Sequence, residues 1–197
     1  MSISPETRIY TGGKDEGNRK EIRQMVRSPV DAEKAISTDR EGREMSVMNT
    51  EVFEVRDCDD YEAAKLLIRE YSQIKGAEKC FVSLDKELAD LQAYYSGGKL
   101  MLGYENGRPV ATVAFRNMNG YTCEAKRLYI KPECRGKGYA RILINTMLDK
   151  CREMDFKEVV FTTKPVVMNI GYGLYQRMGF TEVGNDEGTV TMKMSLE

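Results

Sequence analysis

The chain has 197 residues, which is enough for one domain or for one domain with a polar tail. Its formal net charge is −1, so no overall positive field attracts nucleic acid, and an anion site must be local. The sequence contains no histidine, which excludes a Ser-His-Asp triad, a Cys-His pair and an H-E-x-x-H metal site. A catalytic base must therefore be a carboxylate, a Tyr, a Lys or a water molecule held by them.

The cysteine spacing and the N-terminal residues predict the cellular compartment. Cys58, Cys80, Cys123, Cys134 and Cys151 are widely spaced and include no C-x-x-C pair. This spacing indicates reduced thiols of a cytosolic protein rather than a disulfide framework or a zinc site. The N-terminus has no apolar core of signal-peptide length, and no run is long enough to span a bilayer. We therefore expect a cytoplasmic protein with no metal and no membrane partner.

Residues 1–50 differ in composition from the rest of the chain. They contain one aromatic residue, Tyr10, and charges of both signs alternate without a sustained face. Such a segment has too little apolar surface for a core, so we predict a polar, partly disordered extension over 1–50 and a folded domain over 51–197. A partner-docking or dimer-swapping arm is the alternative.

The predicted domain begins with a strand and two helices. Residues 51–56 alternate apolar and charged side chains, as a half-buried strand does. A helix capped by Asp59 or Asp60 then runs to Gly76, with apolar residues at three- and four-residue steps. A second helix is predicted over 85–95.

Two hairpins follow the helices. Residues 100–105 form a strand, Asn106-Gly107 is the strongest two-residue hairpin signal, and 110–116 returns. A second turn at 117–120 leads into a long strand over 121–131.

A basic glycine turn, Arg135-Gly136-Lys137-Gly138, connects this strand to an amphipathic helix predicted over 139–154. The first N–H groups of a helix have no partner within it and lie at the positive end of its dipole. Two glycines remove the Cβ atoms that would keep a ligand away, and Arg135 and Lys137 add mobile positive charge. The turn is therefore typical of an anion site, above all for a pyrophosphate.

The remaining elements complete an α/β fold. Residues 159–162 form a strand without alternation, as expected for burial on both faces. A short helix covers 169–178, and 180–183 pairs with 189–194. The predicted order is β-α-α-β-β-β-α-β-α-β-β, with a mixed central sheet flanked by helices.

Three motifs give the chain a resemblance to a known superfamily. Arg135, Gly138 and Ala140 match the signature R/Q-x-x-G-x-G/A, residues 174–180 match L-Y-x-x-x-G-F, and residues 123–129 are similar to x-E-x-K-R-L-Y-V. In motifs and element order, residues 51–197 resemble the GNAT superfamily of N-acetyltransferases. The resemblance implies a GNAT-like fold and the binding of acetyl-CoA, whose pyrophosphate the glycine turn would hold.

The resemblance also implies where acetyl-CoA binds. Its binding groups would come from the end of the long strand and from the turn: Leu128, Tyr129, Ile130, Arg135, Gly136, Lys137, Gly138, Tyr139 and Ala140. A backbone N–H of the strand end would stabilise the tetrahedral oxyanion. The strands over 121–130 and 157–162 would have to separate to admit the pantetheine arm, which imitates an added strand.

Two side chains are candidates for proton transfer. The resemblance makes Tyr175 the general acid for the leaving thiolate, and a core tyrosine is the alternative. Glu124 is the candidate base, since it shares a face with Leu128 if the strand is regular, whereas a bulge would reverse it. A salt-bridged glutamate with Lys126 or Arg127 is the alternative. The resemblance implies direct attack of an amine on the thioester. Because no histidine activates Cys123 or Cys134, we do not expect an acetyl-cysteine intermediate.

The implied reaction is acetyl transfer to a primary amine. We expect a small-molecule amine first and a protein N-terminus or lysine second, with no nucleic-acid partner and a homodimer as one assembly to consider. Three acids of the early helices, Glu70, Asp85 and Glu87, are candidates to attract a cationic amine, and ordinary acids on solvated helix faces are the alternative. The alternative function is a non-catalytic acyl-CoA-binding sensor or regulatory module.

Overall fold

The structure, a computed structural model, describes residues 52–76, 81 and 83–196, without the side chains of residues 169 and 170. The predicted extension over 1–50 and Cys80 lie outside these residues. The described elements, in chain order, are β1 (Phe53–Asp57), α1 (Tyr61–Ser72), α2 (Leu84–Ala89), α3 (Leu91–Tyr94), β2 (Lys99–Glu105), β3 (Arg108–Asn117), β4 (Thr122–Ile130), α4 (Tyr139–Glu153), β5 (Glu158–Thr163), α5 (Asn169–Arg177), β6 (Thr181–Asp186) and β7 (Thr189–Ser195).

The strands form one mixed sheet in the order β1-β2-β3-β4-β5-β7-β6. Neighbouring strands are antiparallel except for β4 and β5, which run parallel. Helix α1 packs on one face through Leu67 and Ile68, and helix α4 packs on the other through Leu143, Ile144 and Met147. The predicted α/β fold with helices on a mixed central sheet is confirmed.

Two local predictions follow from the sequence and are confirmed. Asn106 and Gly107 both have positive φ, 50° and 77°, as the two-residue turn between β2 and β3 requires. Asp60 caps α1, because its carboxylate accepts a hydrogen bond from the N–H of Ala63 at 2.9 Å.

The second predicted helix, over 85–95, is divided in two by Asp90. This residue has an extended backbone, with φ −151° and ψ 90°. Its carboxylate accepts a hydrogen bond from the N–H of Ala93 at 2.9 Å and so caps α3. An aspartate stabilises a helix start better than a helix interior, because its side chain competes for backbone N–H groups.

A bulge interrupts β4 where it pairs with β3. Tyr129 lies opposite Thr112 and Lys126 lies opposite Ala114. Between these two pairs, β4 has two residues where β3 has one. Arg127, within the bulge, has a φ of 59°, which is uncommon for a residue other than glycine. An extra residue in a strand reverses the side on which later side chains point.

The bulge separates Glu124 from Leu128. Glu124 lies opposite Arg116 on the same face as Tyr129, which packs with α1, whereas Leu128 packs with the α4 side of the core. The bulge that the sequence analysis gave as the alternative to a regular strand is present, so Glu124 and Leu128 do not share a face.

Glu87 of α2 holds the bulge through Arg127. The Nε of Arg127 donates to Oε1 of Glu87 at 2.8 Å, and its Nη2 donates to Oε2. The Tyr95 hydroxyl donates to the same Oε1 at 2.7 Å. The Arg127 and Glu87 side chains are 3% and 0% exposed, so Glu87 is an internal partner and not an acid that attracts an amine.

We expect Glu87→Gln to lower the free energy of unfolding by about 3 kcal/mol, because Arg127 would stay buried without its counter-charge. Denaturant unfolding measures this loss. The matched control is Glu62→Gln in α1, which breaks an exposed ion pair with Lys65 and should change stability little. Similar losses in the two variants would contradict the structural role of the buried pair.

Candidate active site

A cavity opens where β4 and β5 separate. The ladder between these strands joins residues 122–124 to residues 158–160 and goes no further. Beyond it lies a cavity of about 350 Å³, which α1, α4 and α5 also line. The two central strands therefore part at the place where the sequence predicts that they admit an extended ligand.

The cavity exposes one edge of β4. Leu128, Tyr129 and Ile130, predicted to bind the cofactor, all line it. The opposite edge of β4 pairs with β3, while residues 125–130 lie beyond the ladder with β5. Backbone N–H and C=O groups that have no strand partner can pair with an extended ligand.

The glycine turn lies between the end of β4 and the start of α4. Gly136 and Gly138 have φ values of 81° and 84°, which side-chain-bearing residues rarely adopt. A Cβ atom built on either glycine would meet nothing within 4 Å, so open space lies outside the turn. Gly138 is the N-cap of α4 and offers no side-chain cap, which leaves the first N–H groups, including that of Ala140, to a ligand.

Arg135 joins the turn to the cavity. Its Nε donates to the backbone oxygen of Ile130 at 3.0 Å, and its guanidinium lies 5.8 Å from the ring centre of Tyr129. The side chain is exposed and lines the cavity. It therefore presents positive charge beside the glycine turn, where an anion would bind.

Glu105, at the end of β2, binds both sides of the glycine turn. Its carboxylate accepts hydrogen bonds from Lys137 Nζ at 2.8 Å and from the Tyr139 hydroxyl at 2.6 Å, and Cys134 Sγ lies 3.6 Å away. The hydrogen bond from Lys137, and then that from Tyr139, holds the pKa of Glu105 below its ordinary value. Glu105 therefore stays ionised and restrains the turn.

These contacts limit how Lys137 and Tyr139, two residues predicted to bind the cofactor, can act. Lys137 is bound by Glu105 in this structure, whereas the sequence suggested a mobile charge. The Tyr139 ring is buried and stacks on Phe53 at 3.8 Å, so only its backbone can reach a ligand at the turn.

Tyr175 lies on α5 and lines the cavity. Its ring packs 4.0 Å from that of Phe161 and 5.4 Å from that of Phe180. Burial, with a smaller contribution from Tyr71, raises the pKa of the Tyr175 phenol above its ordinary value. A phenol is protonated at neutral pH with or without this shift, so the Tyr175 hydroxyl is available as a hydrogen-bond donor. The same side chain packs the helix and faces the ligand space.

Glu124 also lines the cavity, but it lies between two cations. Its Oε2 accepts from Arg116 Nε at 2.6 Å, and its Oε1 accepts from Lys126 Nζ at 3.4 Å. Of the two partners that the sequence offered as alternatives, Lys126 is in contact, and Arg127 is bound to Glu87. The sequence analysis missed Arg116, because its contact depends on the register between β3 and β4.

Tyr71 and Met168 line the cavity without having been predicted as site residues. The Tyr71 hydroxyl lies 3.5 Å from the Met168 sulfur, and its ring stacks on Tyr129 at 5.4 Å. In the sequence, Tyr71 is one member of the apolar stripe of a helix. No pattern distinguishes a stripe residue that packs inside the core from one that lines a cavity.

The two thiols considered as nucleophiles lie outside the cavity. Cys123 and Cys134 are buried, and neither lines the cavity. Burial raises the pKa of the Cys134 thiol, with Glu105 adding to the effect, so a thiolate nucleophile is disfavoured. Within the described residues, no group of three or more Cys, Asp or Glu side chains could hold a metal ion. No described helix is both long and apolar enough to cross a membrane.

A family model and several curated proteins are similar to this chain. The model of the acetyltransferase (GNAT) family matches residues 62–180. An uncharacterized N-acetyltransferase of Schizosaccharomyces pombe is 30% identical over 129 residues, which cover 64% of this chain and 77% of that protein. N-acetylaspartate synthetase of Danio rerio is 29% identical over 109 residues, which cover 53% of this chain and only 38% of that relative.

Solved structures show the same fold. The PaiA N-acetyltransferase of Thermoplasma acidophilum, solved in complex with coenzyme A, has a TM-score of 0.61 at 16% identity, with 73% of this chain and 98% of that chain covered. A putative acetyltransferase of Salmonella typhimurium, solved with acetyl-CoA, has a TM-score of 0.58 at 23% identity, with coverage of 74% and 94%.

The family match covers more than half of the chain, and it spans the glycine turn, the separated strands and the helix of Tyr175. The resemblance found in the sequence motifs is thereby confirmed: the protein belongs to the acetyltransferase (GNAT) family.

Proposed function

We propose that the protein transfers the acetyl group of acetyl-CoA directly to a primary amine. The observation that supports this most is that the glycine turn adjoins one end of the cavity, since Arg135 of the turn also lines it. An uncapped helix N-terminus with two positive-φ glycines lies at one end, and a strand edge and a protonated tyrosine line the cavity beyond it. The helix N-terminus suits a pyrophosphate, and the strand edge with the tyrosine suits a thioester.

The strand edge and the turn would bind acetyl-CoA. First-turn N–H groups of α4, such as that of Ala140, would bind the pyrophosphate, with Arg135 beside it. The free edge of β4 would pair with the two amides of the pantetheine arm. Solved relatives with coenzyme A and acetyl-CoA support this choice of co-substrate.

The chemistry needs three groups around the thioester carbon. The nitrogen of a neutral amine attacks this carbon, the C–S bond breaks, and the nitrogen loses a proton while the sulfur gains one. A backbone N–H at Leu128, Tyr129 or Ile130 would stabilise the oxyanion, which is typically worth about 3–4 kcal/mol. Tyr175 would donate its phenolic proton to the leaving sulfur.

Glu124 would receive the amine proton through water. It lies on the α1 face of β4, on the side where Tyr71 and Lys126 leave room for the acceptor. Its contacts with Arg116 and Lys126 occupy both carboxylate oxygens, so a direct contact with the amine would displace Lys126. We propose a small-molecule amine as the acceptor before a protein N-terminus or a lysine.

We expect Gly138→Ala to weaken the binding of acetyl-CoA at least about tenfold, because a methyl group would enter the space of the phosphates. Calorimetric titration measures the affinity. Gly107→Ala is the matched control, since Gly107 has a φ of 77° and equally open surroundings in a remote turn. Both variants should lose similar stability, and equal affinities in the two would exclude the turn as the pyrophosphate site.

We expect Tyr175→Phe to lower kcat about 100-fold while the affinity for acetyl-CoA stays unchanged, because only proton donation to the sulfur is lost. Thiol release with an active amine measures kcat. Tyr172→Phe is the control on the same helix, since the Tyr172 hydroxyl bonds Glu182. Unchanged turnover in Tyr175→Phe would remove its assigned role. Binding of acetyl-CoA without thiol release for any amine would instead favour the acyl-CoA-binding sensor.

We expect Glu124→Gln to lower kcat/KM about 100-fold near neutral pH, with less effect at high pH, where the amine is already neutral. A pH profile of thiol release measures this. A change of no more than about twofold at all pH values would leave Glu124 as an ion-pair partner only.

A further inference from the structure

The charged side chains that line the cavity do not balance. Among the described residues these are Lys126, Arg127 and Arg135, against the single acid Glu124. The charge of Arg127 is neutralised by Glu87, which is buried behind the bulge. Arg135 lies at the glycine turn, where the proposed function assigns it to acetyl-CoA. The proposed function places the acceptor beside Glu124, and we call this part of the cavity the acceptor side. The net charge there depends on the groups around Glu124.

Two cations share the one carboxylate of Glu124. Arg116 binds it closely, at 2.6 Å, whereas Lys126 Nζ lies at 3.4 Å, longer than a typical bond between an ammonium and a carboxylate. The Lys126 side chain is only 15% exposed, so its positive charge is poorly hydrated. Arg116 does not line the cavity, but because it binds Glu124 more closely, the cluster of Arg116, Lys126 and Glu124 carries one net positive charge. Lys126 is the cation of this cluster that lines the cavity and has capacity for a further acceptor.

We propose that the acceptor amine carries a carboxylate next to its amino group, as an α-amino acid does, and that Lys126 binds this carboxylate. The proposal rests on the proposed acetyl transfer. Glu124 and Lys126 are adjacent and of opposite charge, so the amino group lies beside Glu124 when the carboxylate lies on Lys126. The pair selects the orientation in which the nitrogen meets the proposed proton acceptor.

Other acceptor classes fit this charge pattern less well. A polyamine or a lysine side chain would bring a second cation to a cluster that is already positive, and a protein N-terminus has no adjacent carboxylate. The acids expected to attract such cations are engaged or distant. Glu70 pairs with Lys131 at 3.1 Å, Glu87 is buried, and Asp85 does not line the cavity.

The rest of the acceptor side is apolar. Tyr71, Ile74 and Met168 line the cavity on the α1 side of the sheet. Such a wall accommodates an apolar side chain. Amino acids with apolar side chains are therefore suitable probes of the proposed head-group recognition.

The test uses three matched probe sets, built on leucine, methionine and phenylalanine. Each set contains the amino acid, its amide and the decarboxylated amine, and thiol release from acetyl-CoA gives kcat/KM. We expect the acid to exceed both analogues by about tenfold in at least one set, because only the acid can pair with Lys126. At pH 7.5 a larger fraction of the amide than of the amino acid has a neutral amino group. The intrinsic reactivity of the amine alone would therefore favour the amide.

Variants of Lys126 assign the preference to this side chain. Lys126→Gln should remove the preference for the acid, and Lys126→Arg should restore most of it. Lys65→Gln is the control, because Lys65 pairs with Glu62 on α1 and does not line the cavity. Melting temperatures confirm that the variants are folded. A Lys126→Gln protein that melts normally and keeps the preference would overturn the proposal.

The wild-type protein decides the question even if the variants do not fold. Thiol release with the analogues that equals or exceeds release with the acids, or release with other amines only, would overturn the carboxylate requirement and leave acetyl transfer intact. Absence of thiol release with a broad amine panel would instead refute the proposed function on which the inference rests.

Discussion

The buried contact between the Arg127 guanidinium and the Glu87 carboxylate is the constraint on which the site depends. It holds β4 in a bulge with an unfavourable positive φ, and the cost of that conformation is offset by a satisfied ion pair and by the Phe81 ring beneath the guanidinium. The bulge places Leu128 on the α4 side of the sheet and Glu124 on the α1 side. In the proposed function, the same strand would offer an edge for the acyl arm and a charged face for the acceptor.

A second constraint prepares the other end of the site. Glu105 binds Lys137 and Tyr139, so the glycine turn is restrained before any ligand binds. Restraining a turn before binding lowers the entropy lost on binding. The two glycines provide the positive φ values, and the carboxylate beneath them provides the rigidity.

The absence of histidine shapes the proposed chemistry. In the proposed reaction, proton transfer falls to the Tyr175 phenol, which is protonated at neutral pH, and to the Glu124 carboxylate, which is held between two cations. Both groups line one cavity but approach it from different elements, α5 and β4. The acyl arm and the acceptor can therefore meet from opposite faces of the sheet, at the point where β4 and β5 part.

The sequence by itself determined the features that depend on neighbouring residues: the turn at Asn106-Gly107, the cap at Asp60, the apolar stripe of α4 and the glycine turn. Local backbone preferences and a fixed hydrophobic period are sufficient for these. Only the tertiary structure decided that β4 bulges at Arg127, that Glu87 is buried and that Lys137 binds Glu105. The paired residues are 40 and 32 positions apart in the chain, and strand register and helix packing bring them together. A charged residue has the same local pattern whether it faces solvent, a counter-charge or a ligand, because its partner is chosen by the fold.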